Sequence, residues 1–331
     1  MSQSEYLMFK IRNLAFAILL TTFSAEVLAQ QPPLSSVTTV SFKSESVGRM
    51  MKFNIVLPTK YEGSTERYPV LYLLHGLTSN YTAWAKMKVP EYAKAYDMIV
   101  VMPDVGNSWY VNWSKSNDGQ KNNWEDSIIK DLISFVDSKY RTIASREGRA
   151  INGLSMGGFG GMMLGLKHPD MFCSIGSHSG AIGFAKSMAE RMKEGGETKK
   201  STRAPSEIND PNIGIEGFSS QKDRTPKGVC FASAGDCEAY DPFKLILKLP
   251  KEKLPHIYFD CGTEDRLIAS NLEFVKLLSD NKIPFTFGES AGGHVPTYWA
   301  REVGYSMAIQ YAVMQRNIAL AKKAREESKS N

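Results

Sequence analysis

The feature that most constrains this chain is the string Gly153-Leu154-Ser155-Met156-Gly157-Gly158-Phe159-Gly160-Gly161, set directly after Arg149-Ala150-Ile151-Asn152. A strand must end there, reverse sharply and open a helix. A side chain at either flanking glycine would collide with neighbouring backbone. The serine between them then stands clear of the sheet at a helix N-terminus, where the dipole favours negative charge. Ser155 is therefore the candidate nucleophile, and the pattern demands a strand–turn–helix unit around it.

The rest of the chain supplies more such units. Residues 37–42 and 50–56 are rich in β-branched and aromatic side chains, with Pro58 and Gly63 just beyond, and predict an antiparallel pair. Apolar runs at 69–74, 98–103, 149–152, 172–177 and 256–260 read as buried strands, and 285–287 as a less apolar one. Between them, residues 124–140 place Ile128, Ile129, Leu132, Ile133 and Val136 on one helical face. Further helical patterns cover 159–167, 272–280 and a long closing segment, 296–324. This alternation predicts an α/β chain: one domain over 30–331 with a mostly parallel central sheet and helices on both faces. The stretch at about 186–248, rich in Gly, Ser, Lys and Glu, breaks the rhythm between two late core strands. It is expected to be an insertion capping the active site, and 322–331 a frayed tail.

At the N-terminus, Lys10 and Arg12 precede an apolar run from Leu14, with Val27 and Ala29 before Gln30-Gln31-Pro32-Pro33. This is the pattern of a secretory signal peptide over 1–29, cleaved after Ala29. Its apolar core of about ten residues falls well short of the ~20 that span a bilayer. The mature chain is thus expected to be secreted or periplasmic, without a membrane span. The net charge of +5 is interspersed rather than concentrated in a stripe, which argues against a nucleic-acid partner. Cys230 and Cys237 are close enough to close a small loop in an oxidising compartment, and the sequence leaves their pairing open. No Cys/His spacing suggests a metal, no cofactor is implied, and oligomeric state is left open.

A serine hydroxyl needs a base, and the base an orienting acid. Of His75, His168, His178, His256 and His294, only His294 follows every late strand, in Ala291-Gly292-Gly293-His294-Val295-Pro296. His168, before Pro169 at a helix end, is expected to be exposed. Asp265 lies on the loop beyond strand 256–260, where a carboxylate can reach a histidine; Asp260 sits within that strand, and Glu264 is the competitor. The order Ser155, Asp265, His294 is that of a strand–turn–helix nucleophile. The tetrahedral intermediate needs an oxyanion hole. Met156 offers one backbone N–H, and Leu77, in His75-Gly76-Leu77-Thr78 after the first apolar strand, offers the second. Trp84, Trp109, Tyr110, Trp113, Trp124 and Trp299 cluster where a pocket rim should be; stacking on a phenolic acyl group or a sugar ring is one reading, and core packing with ordinary rim aromatics is favoured for any single one. Trp109, Tyr110, His178 and Trp299 are the candidate substrate contacts.

The strings PVLYLLHGLTSNYTAW, MIVVMPDVGNSWY, GLSMGGFGG, FDCGTEDRL and GGHVPTYW, in this order, resemble the esterase D-like branch of the α/β-hydrolases. The likeness covers about 37–186 and 240–315. It implies an α/β-hydrolase fold, a Ser155–His294–Asp265 triad, and hydrolysis of short-chain or aromatic esters of the acetyl or feruloyl type, those of carbohydrates among them. The same branch holds mycolyltransferases, which pass the acyl group to a sugar or lipid, and S-formylglutathione hydrolases, which cleave a thioester; these are the alternatives. The intact set of serine, acid, histidine and oxyanion loop argues against a binding protein on a dead hydrolase fold.

Overall fold

A computed structural model describes residues 37–116, 119, 121–194 and 226–330. The leader read over 1–29 and the centre of the insertion lie outside the described residues. In chain order the strands are β1 (Val37–Ser44), β2 (Arg49–Val56), β3 (Val70–Leu74), β4 (Ile99–Pro103), β5 (Lys115–Ser116), β6 (Arg149–Gly153), β7 (Ser174–His178), β8 (Gly228–Val229), β9 (His256–Gly262) and β10 (Thr286–Ser290). Eight of them form one sheet in the order β1-β2-β4-β3-β6-β7-β9-β10. β1, β2 and β4 pair antiparallel, and every pairing from β4 to β10 is parallel. β5 and β8 make a separate two-residue ladder that ties the insertion to the loop after β4.

Alternation along the central strands shows why both faces need covering. In β3, Val70, Tyr72 and Leu74 enter one core, while Leu71 and Leu73 enter the other; Ile99 and Val101 of β4 part from Val100 and Met102 in the same way. The helices are α1 (Val89–Ala93), α2 (Trp124–Asp126 continuing through Ser127–Leu132 to Ile133–Lys139), α3 (Met156–Lys167), α4 (Phe184–Lys193), α5 (Ala234–Glu238), α6 (Pro242–Lys248), α7 (Ile268–Asp280) and α8 (Pro296–Ser330). α2, α3, α6 and α7 supply Leu132, Phe159, Ile246 and Phe274 to the first core. α1 and α8 supply Val89, Trp299, Val303 and Met307 to the second.

Several expectations are corrected. The middle of α2, Ser127–Leu132, is π-helical. Ser127 meets Ser44 of β1 at 2.9 Å there, and Ser44 donates to Asp131 at 2.6 Å, so the widened turn carries polar contacts to the sheet edge. The tail expected to fray continues α8 to Ser330. Its Ala, Lys, Arg and Glu are strong helix formers, and Lys323 pairs with Glu327 one turn on. His168 is half-buried, 2.7 Å from Glu125, rather than free at the surface. The described flanks of the insertion carry α4, α5 and α6 and bury Phe231, Phe243 and Ile246. Cys230 and Cys237 are free, buried thiols, as are Cys173 and Cys261. Among the described residues, no helix is long and apolar enough to cross a membrane.

Candidate active site

The site forms at the carboxyl ends of the parallel strands, where β3, β6, β9 and β10 each release a loop. β6 ends at Gly153, and Ser155 follows with φ 54° and ψ −116° before α3 begins. A non-glycine residue with positive φ is strained by roughly 1–3 kcal/mol, and such strain persists where the surroundings over-determine it. Here they do. A Cβ on Gly153 would lie 2.3 Å from the Gly157 carbonyl oxygen, and one on Gly157 would lie 2.4 Å from that of Leu74. Both flanking glycines are therefore demanded by backbone that cannot rotate aside. The Ser155 N–H donates to the His178 carbonyl at 2.9 Å, tying the elbow to the end of β7.

His294, on the loop between β10 and α8, brings Nε2 to 2.9 Å from Ser155 Oγ. Its Nδ1 lies 2.8 Å from Asp265 Oδ2 on the loop after β9. The carboxylate only accepts, so the imidazole carries its proton on Nδ1 and turns Nε2 towards the serine. Asp265 Oδ1 accepts the Leu267 N–H at 2.9 Å. Burial pushes the Asp265 carboxyl up, but the His294 hydrogen bond and charge, with the Leu267 N–H, more than offset it and hold it below the usual range. Trp299 packs edge-on against the His294 ring, with centroids 4.9 Å apart at 89°. Glu264 is exposed, whereas Asp260 is buried against His178 at 2.7 Å. Neither competes for His294.

The loop after β3 crosses directly over the elbow. A Cβ on Gly76 would sit 2.5 Å from Leu154 Cδ1 and 3.3 Å from Ser155 Cβ. His75 holds this loop from within. Its Nε2 accepts the Val105 N–H at 3.2 Å, so Nδ1 carries the proton, 2.8 Å from the Gly76 carbonyl. Asn107 Oδ1 accepts the Thr78 N–H at 2.7 Å, and the Tyr110 hydroxyl donates to the His75 carbonyl at 2.8 Å. Leu77 thus lies on a clamped turn beside the nucleophile. Met156 is the first residue of α3, among the positions whose N–H groups have no partner within a helix.

The structure buries the aromatic residues that cluster near the rim, in keeping with the core packing favoured for each of them singly. All five tryptophans are buried. Trp109 stacks on Phe184 at 3.5 Å and meets Phe159 edge-on, so one face and one edge are taken by protein. Tyr110, His178 and Trp299 are buried likewise, engaged with His75, Asp260 and His294. An aromatic side chain gains most when wholly enclosed, and the loop after β4 turns these two inward: Trp109 and Tyr110 both have φ 61°. No motif in the sequence assigns a role to Asn107, Asn152, Ser306 or Gln310. A polar pair four residues apart on the apolar face of α8, Ser306 and Gln310, was the signal available.

The Esterase family model, described as "Putative esterase", matches residues 44–303. The chain belongs to this family. Esterase Rv1288 of Mycobacterium tuberculosis is 29% identical over 257 residues, 77% of this chain and 54% of that protein. The chain therefore spans about half the length of that relative. The acetyl esterase of Caldicellulosiruptor saccharolyticus is 26% identical over 241 residues, 72% of this chain and 82% of its own. Among solved structures, FphF, a fluorophosphonate-binding serine hydrolase of Staphylococcus aureus, has TM-score 0.63 at 23% identity, covering 83% of this chain and 98% of that one. An S-formylglutathione hydrolase from Agrobacterium tumefaciens has TM-score 0.64 at 17% identity, covering 87% and 99%. These structures share the α/β-hydrolase fold.

Proposed function

We propose that this chain is a secreted serine ester hydrolase that works through an acyl-enzyme. The observation that carries the reading is the unbroken chain from Ser155 Oγ through His294 to Asp265, with links of 2.9 and 2.8 Å. In this mechanism His294 Nε2 takes the Ser155 proton as the hydroxyl attacks the ester carbonyl. The N–H groups of Leu77 and Met156 receive the developing oxyanion. Collapse expels the alcohol, which takes the proton back from His294. Water then attacks the acyl-enzyme by the same route, releasing the acid and restoring Ser155. Asp265 holds the imidazole tautomer and stabilises its cation.

Short-chain or aromatic acyl groups are the proposed substrates. Support comes from the acetyl esterase relative and from a segment 34% identical over 157 residues to an endo-1,4-beta-xylanase/feruloyl esterase of Xylanibacter ruminicola, covering 44% of this chain and 22% of that protein. Secretion rests on the leader pattern of residues 1–29. The test compares p-nitrophenyl acetate hydrolysis by the chain and by Ser155→Ala, followed by acetyl and feruloyl esters. Activity that collapses in the variant supports the reading. Equal rates in both proteins would refute it.

A further inference from the structure

Behind the triad lies a second Asp–His–Ser set that the proposed reaction does not use. His178 ends β7, Asp260 lies in β9 and Ser306 in α8, and all three are buried. Asp260 Oδ2 accepts from His178 Nδ1 at 2.7 Å and from the Tyr258 hydroxyl at 3.0 Å. With that proton on Nδ1, His178 Nε2 accepts from Ser306 Oγ at 2.9 Å or Asn152 Nδ2 at 3.2 Å. Asn152 Nδ2 also reaches Ser306 Oγ and Gln310 Oε1, each at 3.0 Å. Burying so many polar groups is costly unless they are paired, and an apolar repacking of such a site is often at least as stable. Stability alone therefore gives no reason for the set to be here.

Its position supplies one. The backbone carbonyl of His178 accepts the Ser155 N–H, the Asp260 carbonyl accepts the Ser179 N–H at 2.8 Å, and Asn152 Oδ1 accepts the Gly153 N–H at 2.7 Å. The first and last of these bonds hold the elbow, and the second ties the strand end beside it to β9. On the far side, the helix that carries Ser306 also carries Trp299, whose ring meets the His294 imidazole, and Tyr298, which packs against Gly292 of the His294 loop. One polar set thus joins the strand end behind Ser155 to the helix behind His294.

We propose that His178 is a positioning residue: with Asp260 and Ser306 it sets the separation between Ser155 Oγ and His294 Nε2 without touching substrate. The proposal rests on the triad reading above. Ser306→Ala removes one hydroxyl, leaves Asn152 to satisfy His178, and adds no volume. His178→Asn keeps a donor towards Asp260 but loses the link to α8, and His178→Ala loses both. The experiment measures kcat and KM for p-nitrophenyl acetate per fluorophosphonate-titrated active site, the pH profile of kcat/KM, and the thermal midpoint. A misplacement of a fraction of an ångström is expected to lower kcat about 10-fold in Ser306→Ala, and one near 1 Å about 10²-fold in His178→Asn, with KM unchanged and His178→Ala slower still. The pH profile of kcat/KM should change shape as the Ser155–His294 bond is mis-set; a scaffold role would leave it in place. Wild-type kcat and pH profile in folded Ser306→Ala overturn the proposal, and so does a loss that vanishes once active sites are titrated. If the His178 variants do not fold, Ser306→Ala decides alone. An inert wild type sinks the triad reading instead.

Discussion

Gly157→Ala separates the cost of the elbow to catalysis from its cost to folding. The new Cβ would lie 2.4 Å from the Leu74 carbonyl oxygen and 2.6 Å from that of His75. An ordinary C···O contact is about 3.3 Å, so the two backbones must part by roughly 0.9 Å. Either α3 retreats and carries Ser155 with it, or the His75 loop lifts and carries Leu77. Both routes open the space between the nucleophile and the proposed oxyanion donors. A displacement near 1 Å costs about 10²-fold in rate, or roughly 2.7 kcal/mol of transition-state stabilisation. Overpacking costs about 1–3 kcal/mol of stability, and alanine in place of a helical glycine returns up to about 1 kcal/mol. The thermal midpoint should therefore fall by only a few degrees while kcat falls about 10²-fold. The assay is steady-state hydrolysis of p-nitrophenyl acetate per folded molecule, with the midpoint followed by circular dichroism. A folded variant with kcat within about threefold of wild type would show that the elbow and the oxyanion loop are not rigidly seated on one another.

Asp265→Asn should lower kcat about 10⁴-fold, because an amide can donate to Nδ1 and so stabilise the wrong imidazole tautomer; kcat/KM against pH for the two proteins checks it. Since the folded Asp265 carboxyl sits below its unfolded value of about 3.9, its contribution to stability is complete above that pH and is lost as pH falls through the lower, folded value. The wild-type advantage in urea midpoint over Asp265→Asn should shrink accordingly in acid. Glu125 offers the same test away from the site. Burial pushes its carboxyl up, but His168 and Lys167, at 2.7 and 2.8 Å, hold it at about 2. Glu125→Gln should lose on the order of 2 kcal/mol at neutral pH, a difference that disappears between about pH 4.5 and pH 2. A midpoint difference that stays constant over that range would count against a charged clamp at the end of α3.

What the sequence makes legible here follows a clear physical division. Strands such as Val70–Leu74 and Ile99–Pro103 are buried on both faces, so they appear as unbroken apolar runs whose bounds match the strands to within a residue. The elbow was visible because steric demand at Gly153 and Gly157 admits one residue type. The π turns of α2 left no such trace, since the sequence of Ser127–Leu132 carries the apolar spacing of an ordinary helix and the widening lies in the backbone bonding. Nor did the inward turn of Trp109 and Tyr110. Rim and core ask for the same aromatic side chains, and the positive φ that decides between them falls on two residues that are not glycine.

The two aspartates around β9 hold matching partners from different backbone settings. Asp260 lies inside the strand, so its side chain is committed to one face of the sheet and meets His178 on the neighbouring strand. Asp265 lies three residues beyond the last strand position, on a turn closed by its own N–H to the Gly262 carbonyl at 3.0 Å. Freed from the pleat, it reaches the His294 loop. Both carboxylates hold an imidazole Nδ1, and both histidines direct Nε2 at a serine. Only Ser155 has the positive φ, the helix N-terminus and the clamped glycine loop beside it. Ser306 is a mid-helix hydroxyl, 3.0 Å from the carbonyl of Val303. An acid, an imidazole and a hydroxyl in line are therefore not sufficient for a nucleophile. The strained turn that presents the hydroxyl to a space where charge can develop makes the difference.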